Sequence, residues 1–419
     1  MHVLIMSFGT RGDIQPYAAL ARGLAEAGHD VTLAVPDGFT DPASADAGPG
    51  VITVHPAGTE MLRLVRDVMP ELSGPTDALK TFKVMKSAMR RHIAETWDAA
   101  RAARPDVVVY HPKCLAGPSA AEALGVPGVL SIPLPFYTPT AAFPVPFLGG
   151  ASLGAWGNRA TYRLGRMATV MYSGMINDFR REIGLGTTVG RLADPLRNPD
   201  GSPVHTLYPY SPHVVPVPPD YPPSAHVTGY FFRDDDTWEP PARLSEFLDA
   251  GTAPVYVGFG SMGFGKGADR RREAILGALA ANGLRGIVAT GWGGIEPGDA
   301  PSDDVLVIQD APHGWLFPRT AAVVHHGGAG STAAGLRAGK PSLIVPFLGD
   351  QPFWGARVHA VGAGPEPLPR RRLASGLAGR LADLVGNEGY ARRAAALGEA
   401  IRGEDGVGQG VRVLERIAG

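Results

Sequence analysis

The sequence predicts an α/β protein with two parallel sheets, and three features carry that prediction. A series of apolar strand, glycine-containing loop and helix begins near residue 2, and a second series begins at Pro254. A proline-rich stretch over 208–241 separates the two series. A chain of 419 residues is also too long for one ordinary core. We therefore expect two Rossmann-like domains that face a cleft.

The first half alternates strands and helices in the order that a parallel sheet requires. Apolar runs predict strands over 2–8, 31–35, 107–109 and 128–132. Helical periodicity predicts helices over 16–27, 116–124 and 156–183. The segment between Pro133 and Gly150, rich in proline and aromatic residues, is predicted to be an irregular loop.

The second half repeats this alternation after the proline-rich stretch. It predicts strands over 255–257, 286–289, 305–308, 322–324 and 342–347, with a helix that opens at Ser331 and Thr332 and stops at Gly339. The predicted boundaries are an N-terminal domain over 1–215, a linker over 216–241, a C-terminal domain over 242–400 and a final helix over 401–419.

The overall charge and the cysteine content argue against several classes of protein. With 39 basic and 40 acidic residues the formal net charge is −1, so no global field draws the chain to nucleic acid or to an acidic membrane. Cys114 is the only cysteine, which excludes an intramolecular disulfide and suits a reducing cytoplasm. The N-terminus lacks the basic leader of a signal peptide, and no apolar run approaches the ~18 residues of a membrane span. We expect a cytoplasmic protein whose oligomeric state stays open.

The most informative segment is a glycine-rich turn between a strand and a helix, with the sequence HHGGAGST over 325–332. Glycines allow close approach to the backbone, and a helix N-terminus offers N–H groups with partial positive charge. The turn therefore predicts a site for a diphosphate. Asp350 and Gln351 follow the next strand and suit the recognition of vicinal hydroxyls. For the glycines alone, an ordinary strand-to-helix turn with a Ser/Thr cap is an open alternative.

Four segments resemble the family-1 nucleotide-sugar glycosyltransferases. They are GTRGDIQP at 9–16, ALGVP at 123–127, VYVGFGS at 255–261 and HHGGAGST...AGKPSLIVPFLGDQPFWGARV over 325–358. The likeness is strongest to sterol glucosyltransferases and to glycosyltransferases that modify bacterial glycopeptides and polyketides. It implies the GT-B architecture: an acceptor-binding N-terminal domain, a donor-binding C-terminal domain and a last helix that crosses back to the first.

The resemblance also implies which residues bind the donor. That set is Ser261, Trp292, Ala311, His313, His326, Gly328, Ala329, Gly330, Ser331, Thr332, Asp350 and Gln351. Trp292 is equally well explained as a packing residue. Plant relatives hold the ribose with a Glu three residues after the phosphate-binding Ser, where this chain has Ala334. Sterol-type relatives also lack that Glu and use UDP-glucose, which favours UDP over TDP.

Asp13 is the candidate general base. It follows the first strand, and ligand chemistry in parallel sheets concentrates at the carboxyl ends of strands. An Asp that only caps the following helix is the alternative from position alone, whereas the Asp of GxRGDxxP is the usual base candidate in the resembled family. His111 follows a neighbouring strand and is a candidate catalytic partner of Asp13; a loop histidine without chemistry is the alternative.

An apolar acceptor pocket is predicted in the first domain. Methionines spaced four residues apart and nearby aromatic residues carry this hypothesis, with Met85, Phe136, Phe143 and Met171 as acceptor-binding candidates. Plain core packing would produce the same methionine stripes and stays an open alternative.

Together these features predict an inverting glycosyltransferase that needs no metal and no cofactor. It would move a hexose, glucose, from a nucleotide diphosphate to a hydroxyl of an apolar small molecule. A nicotinamide oxidoreductase is one alternative: Asp37 suits a ribose, but Arg11 occupies the second glycine position of the dinucleotide fingerprint. A non-catalytic glycosyltransferase-like partner protein is another, disfavoured because the predicted donor residues are present.

Overall fold

The computed structural model describes residues 1–39, 48–64, 75–148, 152–232, 238–260, 268–290 and 302–419. Within them, the first half forms a parallel sheet of seven strands in the order β3-β2-β1-β4-β5-β6-β7. Its strands are β1 His2–Met6, β2 Asp30–Val35, β3 Ile52–Pro56, β4 Val107–Tyr110, β5 Gly128–Ser131, β6 His205–Tyr208 and β7 Ala225–Val227. Its helices are α1 Arg11–Glu26, α2 Thr59–Arg63, α3 Pro75–Ala103, α4 Gly117–Leu124, α5 Gly154–Thr161 and α6 Met167–Glu182.

The second half, as far as it is described, forms a parallel sheet of five strands in the order β10-β9-β8-β11-β12. Its strands are β8 Val255–Gly258, β9 Gly286–Ala289, β10 Val305–Ile308, β11 Ala322–His325 and β12 Ser342–Ile344. Its helices are α7 Ala242–Asp249, α8 Ala268–Ala281, α9 His313–Leu316, α10 Ala329–Arg337, α11 Gln351–Ala360, α12 Leu373–Gly386, α13 Glu388–Arg402 and α14 Gly406–Ala418. The predicted α/β class with two Rossmann-like sheets is confirmed.

The central strands of the first sheet, β1, β4 and β5, are buried on both faces. Val3 and Ile5 point into a core shared with α1 and α14, whereas Leu4 and Met6 enter the core on the opposite face. Helix α14 packs on α1 so closely that a Cβ on Gly23 would lie 2.2 Å from the Val407 side chain. The last helix of the chain is thus part of the N-terminal core.

The structure corrects the predicted starts of two helices. Helix α1 begins at Arg11 rather than at Pro16, because Thr10 and Asp13 form a capping box ahead of the proline. Helix α10 begins at Ala329 rather than at Ser331, because Gly328 takes the extended N-cap conformation.

Two longer predictions also need correction. The helix expected over 156–183 is divided into α5, a 3-10 turn over Tyr162–Arg166 and α6. Strand β7 lies inside the predicted linker and pairs in parallel with β6; the prolines around it hid its strand pattern. The exact domain boundaries stay predictions. No helix in the described ranges is long and apolar enough to cross a bilayer.

Candidate functional site

Asp13 lies in the first turn of α1, directly after β1, where its carboxylate caps the helix. Its Oδ2 accepts a hydrogen bond from the backbone N–H of Thr10 at 2.9 Å, and Ser7 Oγ donates to its carbonyl oxygen at 2.7 Å. Gly9 makes this turn possible, since its φ is +143° and a Cβ there would lie 2.1 Å from the Asp13 carboxylate. The capping role therefore uses Oδ2 and leaves Oδ1 for other partners.

His111 lies beside Asp13 because β4 is the neighbour of β1 in the sheet. The distance from His111 Nε2 to Asp13 Oδ1 is 3.9 Å, longer than a hydrogen bond. The His111 Nδ1 accepts the backbone N–H of Lys113 at 3.1 Å, so a neutral ring carries its proton on Nε2. Burial lowers the pKa of His111 to about 3, which keeps the ring neutral at pH 7. Its catalytic partnership with Asp13 stays a prediction.

Lys113, which the sequence reasoning missed, makes the shortest contact that any described side chain makes with the Asp13 carboxylate. Its Nζ donates to Asp13 Oδ1 at 2.8 Å. Burial raises the pKa of Asp13, but the charge of Lys113 and the contacts of His111 and Thr10 outweigh it, so the pKa lies below its ordinary value. Asp13 is therefore an anion at neutral pH. The only signal in the sequence was the place of Lys113, two residues past His111 at the end of a strand.

The glycine turn on the other side of the cleft follows β11. Gly327 has φ of +90°, and a Cβ on Gly328 would lie 2.6 Å from Nε2 of His326, so the imidazole lies directly over the turn. Burial lowers the pKa of His326 to about 4, and the neutral ring has one N–H donor. The Nδ1 of His326 is buried and has no hydrogen-bond partner among the described residues.

Helix α10 starts without a side-chain cap. Gly328 is the N-cap, and the first bond of the helix runs from the N–H of Thr332 to the carbonyl of Gly328 at 2.9 Å. The N–H groups of Ala329, Gly330 and Ser331 therefore have no partner inside the helix. The Thr332 side chain is fully buried, and its Oγ1 lacks a partner within the described part of the chain. Buried polar atoms are normally hydrogen-bonded, so this helix end has the properties of a ligand site.

Ala311 and His313 lie on the loop that follows β10 and at the start of α9. Ala311 is buried, and His313 stacks on Phe317 with the ring centroids 4.2 Å apart. Burial lowers the pKa of His313 to about 3, and the nearby charges of Arg11 and His326 lower it further. Helix α9, which begins at His313, packs against α10, the helix that follows the glycine turn.

Asp350 and Gln351 lie at the start of α11, and the structure uses part of each internally. Asp350 Oδ2 accepts a hydrogen bond from Nε1 of Trp354 at 2.8 Å. Burial raises the pKa of Asp350, whereas the hydrogen bond from Trp354 lowers it and the charge of Asp13 raises it. The Gln351 Oε1 accepts the backbone N–H groups of Phe347 and Leu348 at 2.7 and 3.1 Å. Gln351 therefore stabilises this loop through its amide oxygen. Its amide N–H groups remain as possible hydrogen-bond donors to a sugar.

The N-termini of α1 and α10 meet across the cleft. A Cβ on Gly330, the second residue of α10, would lie 4.0 Å from Cα of Gly12, the second residue of α1. Next to them, Arg11 Nη1 is 3.6 Å from Asp310 Oδ2, in an ion pair that joins the two halves. Two helix N-termini and an ion pair thus meet at one place. Because Asp13 already caps α1, the partial positive charge left for an anion there is that of α10.

Three predicted acceptor residues, Met85, Phe136 and Phe143, pack against the same apolar cluster of the described residues. Phe136 packs edge-on against Tyr137, and Met85 is half-buried against the core of the first domain. The ring centroids of Phe143 and of Phe353 on α11 are 6.0 Å apart, so Phe143 lies at the contact between the two halves. Met171 is exposed on α6. The periodic methionine pattern could not separate these environments, because core, interface and surface helices share the same spacing.

Two predicted donor residues, Ser261 and Trp292, lie outside the described residues. Their assignment, like the roles given to the other site residues, stays a prediction.

Comparison with known proteins gives the same assignment for both halves. Residues 3–143 match the family described as glycosyltransferase family 28 N-terminal domain, and residues 297–404 match the erythromycin biosynthesis protein CIII-like C-terminal domain. A sterol 3-beta-glucosyltransferase of Arabidopsis thaliana is 35% identical over 99% of this chain, which spans 65% of that relative's length. An O-mycaminosyltylonolide 6-deoxyallosyltransferase of Streptomyces fradiae is 34% identical over 100% of this chain and 98% of its own length.

Solved structures share the fold at lower identity. The glycosyltransferase of kitacinnamycin superposes with a TM-score of 0.71 at 18% identity, covering 100% of this chain and 99% of its own. The glycosyltransferase VinC, solved in complex with dTDP, superposes with a TM-score of 0.65 at 22% identity, covering 100% of this chain and 99% of its own. Both likenesses concern the fold alone.

Proposed function

We propose a reaction for this chain from one premise: it belongs to the family-1 nucleotide-sugar glycosyltransferases of GT-B fold. The proposed reaction is an inverting transfer of glucose from UDP-glucose to a hydroxyl of an apolar small molecule. Sterol-like compounds and polyketide aglycones are the proposed acceptors, in keeping with the names of the relatives. Such an enzyme would serve natural-product or sterol glycosylation in the cytoplasm.

The observation that carries this proposal is the meeting of the two helix N-termini. The end of α10 has N–H groups without a partner inside the helix, and the end of α1 holds a carboxylate whose Oδ1 accepts a hydrogen bond from Lys113. A diphosphate against α10 would be stabilised by the partial positive charge of that helix end. Asp13 would then lie near the sugar that the diphosphate carries. A single displacement needs the diphosphate and the base on opposite walls of the cleft.

In the proposed mechanism, Asp13 accepts the proton of the acceptor hydroxyl while the oxygen attacks the anomeric carbon. The bond from that carbon to the diphosphate oxygen breaks on the opposite face, so the configuration inverts. The leaving diphosphate takes hydrogen bonds from His326, from the hydroxyls of Ser331 and Thr332, and from the start of α10. Preorganised donors of this kind stabilise the charge that develops on the leaving oxygen.

Recognition of the donor is proposed to favour UDP over TDP and glucose over a deoxygenated sugar. Ala334 lies three residues after Ser331 and cannot hold the ribose hydroxyls as a Glu would. The sugar would instead be recognised through Asp350 and the amide N–H groups of Gln351. No metal is part of this proposal, so EDTA should leave the rate unchanged, and a strong loss of rate with EDTA would contradict it.

The proposal is tested by thermal denaturation with UDP, TDP and NAD, on the wild type and on His326→Ala. We expect UDP to raise the melting temperature more than TDP, NAD to have no effect, and His326→Ala to reduce the response to UDP. A matched control is His92→Ala, since His92 is also buried but lies in the N-terminal core. A response to NAD alone, or to none of the three, would contradict a nucleotide-sugar site.

A further inference from the structure

The large exposed apolar side chains of the described residues concentrate in one segment of the N-terminal half. Trp156 on α5 is 82% exposed and Met171 on α6 is 64% exposed. Leu164, Met167, Val170 and Met171 recur every one to three residues along the 3-10 turn and α6, and Leu153 and Trp156 lie three residues apart at the start of α5. We call these six exposed side chains the apolar face. Soluble proteins rarely expose a connected apolar surface without a partner for it.

The charges around the apolar face are one-sided. Residues 123–177 contain three arginines, no lysine and no acidic residue, although the whole chain is close to neutral. Arg159 and Arg166 pair with Asp220 and Asp194 from outside this segment, at 2.7 and 3.0 Å. Arg163 is exposed, and no described carboxylate pairs with it. Two of the three arginines are thus neutralised, and the positive charge that remains beside the apolar side chains is that of Arg163.

The apolar face continues to the acceptor side of the cleft. Gly165, between α5 and α6, lies beside Phe136 and Tyr137, 3.7 and 3.5 Å from where its Cβ would be. Phe136 in turn packs on Phe147 with the ring centroids 4.9 Å apart. Phe147 is 3.8 Å from the Cβ position of Gly349, the residue before Asp350. A continuous apolar path thus leads from the outer surface to the predicted sugar site.

We propose that the apolar face docks on the surface of an anionic lipid bilayer. An interfacial helix needs apolar side chains, among which Trp and Leu are favoured, with cationic residues at its edge and little acidic charge. The segment over 153–171 has each of these features. Docking would present the cleft to an apolar acceptor dissolved in the bilayer; this consequence rests on the proposed function, whereas the docking itself does not.

The test is sedimentation with vesicles of phosphatidylcholine alone and with vesicles of equal parts phosphatidylcholine and phosphatidylglycerol. We expect the protein to pellet with the anionic vesicles and to be released by salt. Met171→Glu should weaken binding about tenfold or more, because a buried methionine is lost from the interface. Arg163→Gln should weaken it about fivefold. Val51→Glu is the matched control, since Val51 is 62% exposed in the same half but far along the chain from the face.

Three results would overturn the proposal. The first is the absence of binding to anionic vesicles. The second is an equal loss of vesicle binding with Met171→Glu and with Val51→Glu. The third is a dimer in analytical ultracentrifugation that Met171→Glu dissociates, which would make a second copy of the chain the partner of this face. The response to UDP is measured without lipid, so failure of docking and failure of the proposed reaction are distinguishable.

Discussion

Helices α1 and α10 begin at the same cleft, but their N-termini are satisfied in different ways. At α1, the Asp13 carboxylate accepts the N–H of Thr10, and Lys113 neutralises its remaining oxygen. At α10, the N-cap is Gly328, which has no side chain to accept a bond. The N-terminus of α1 is capped by a side chain of the protein itself. The N-terminus of α10 leaves its N–H donors for another molecule.

This difference indicates that the two sides of the cleft have different functions. A helix end with an internal carboxylate repels a second anion, so the α1 side is suited to hold a base rather than a phosphate. The uncapped α10 end, with two buried polar atoms that lack partners in the described residues, is suited to bind the diphosphate. Substitutions at the two ends should therefore separate turnover from nucleotide binding.

The largest effect is expected at the α1 end, from Asp13→Asn. The amide oxygen can still accept the N–H of Thr10, so the helix cap is kept while the base is removed. We expect kcat to fall about 10²–10⁴-fold, the usual contribution of a general base. The response of the melting temperature to UDP should be unchanged, because the α10 end is untouched. Initial rates with saturating donor and thermal denaturation measure both quantities.

Asp37→Asn is the control for this substitution. Asp37 is an exposed aspartate in the same half, after β2. It should retain wild-type rates. If Asp13→Asn kept its activity within a few-fold, Asp13 would be only a helix cap.

A smaller effect is expected from Lys113→Met, which removes the cation beside the base. Burial alone would then raise the pKa of Asp13, so the acidic limb of kcat/KM should move to higher pH. The sign follows because the base must be ionised, and a higher pKa leaves less of it ionised in acid. Near neutral pH the rate should change about tenfold or less, since a partly exposed ion pair is weak.

Lys113→Arg is the matched variant and should restore the original pH profile. A pH profile that stays in place with Lys113→Met would show that the cation does not set the pKa of Asp13.

The sequence predicted the elements of the cleft better than the contacts between them. The turn at 325–332 and the loop with Asp13 follow strands whose apolar runs are continuous, so their place at the sheet edge could be deduced. Lys113 could not be deduced, because its contact with Asp13 depends on β4 lying next to β1. That strand order is a property of the whole sheet.

Local hydrogen bonds explain most of the other differences. The amide oxygen of Gln351 is used by the backbone at 347–348, which a motif does not reveal. The start of α1 was hidden by Pro16, since a proline normally favours the first turn of a helix. Phe143 packs on Phe353 between the halves, a contact that composition could not indicate, and its assignment to the acceptor stays a prediction.

The smallest predicted effect is at the α10 end, from Thr332→Val, and it isolates a single hydroxyl. Without nucleotide, the melting temperature should stay the same or rise, because a buried hydroxyl without a described partner is replaced by a methyl group. With saturating UDP, the stabilisation should be about 1 kcal/mol smaller than in the wild type, the usual worth of one hydrogen bond.

The matched variant at the other helix end is Thr10→Val, whose hydroxyl lies 3.4 Å from Asp13 Oδ2. It should leave the response to UDP intact, because the α1 end binds no phosphate in this scheme. Titration of both variants with UDP in thermal denaturation therefore compares the two helix ends one hydroxyl at a time. Equal responses in the two variants would mean that the hydroxyl of Thr332 is not a ligand of the diphosphate, and that the donors of α10 are its backbone N–H groups alone.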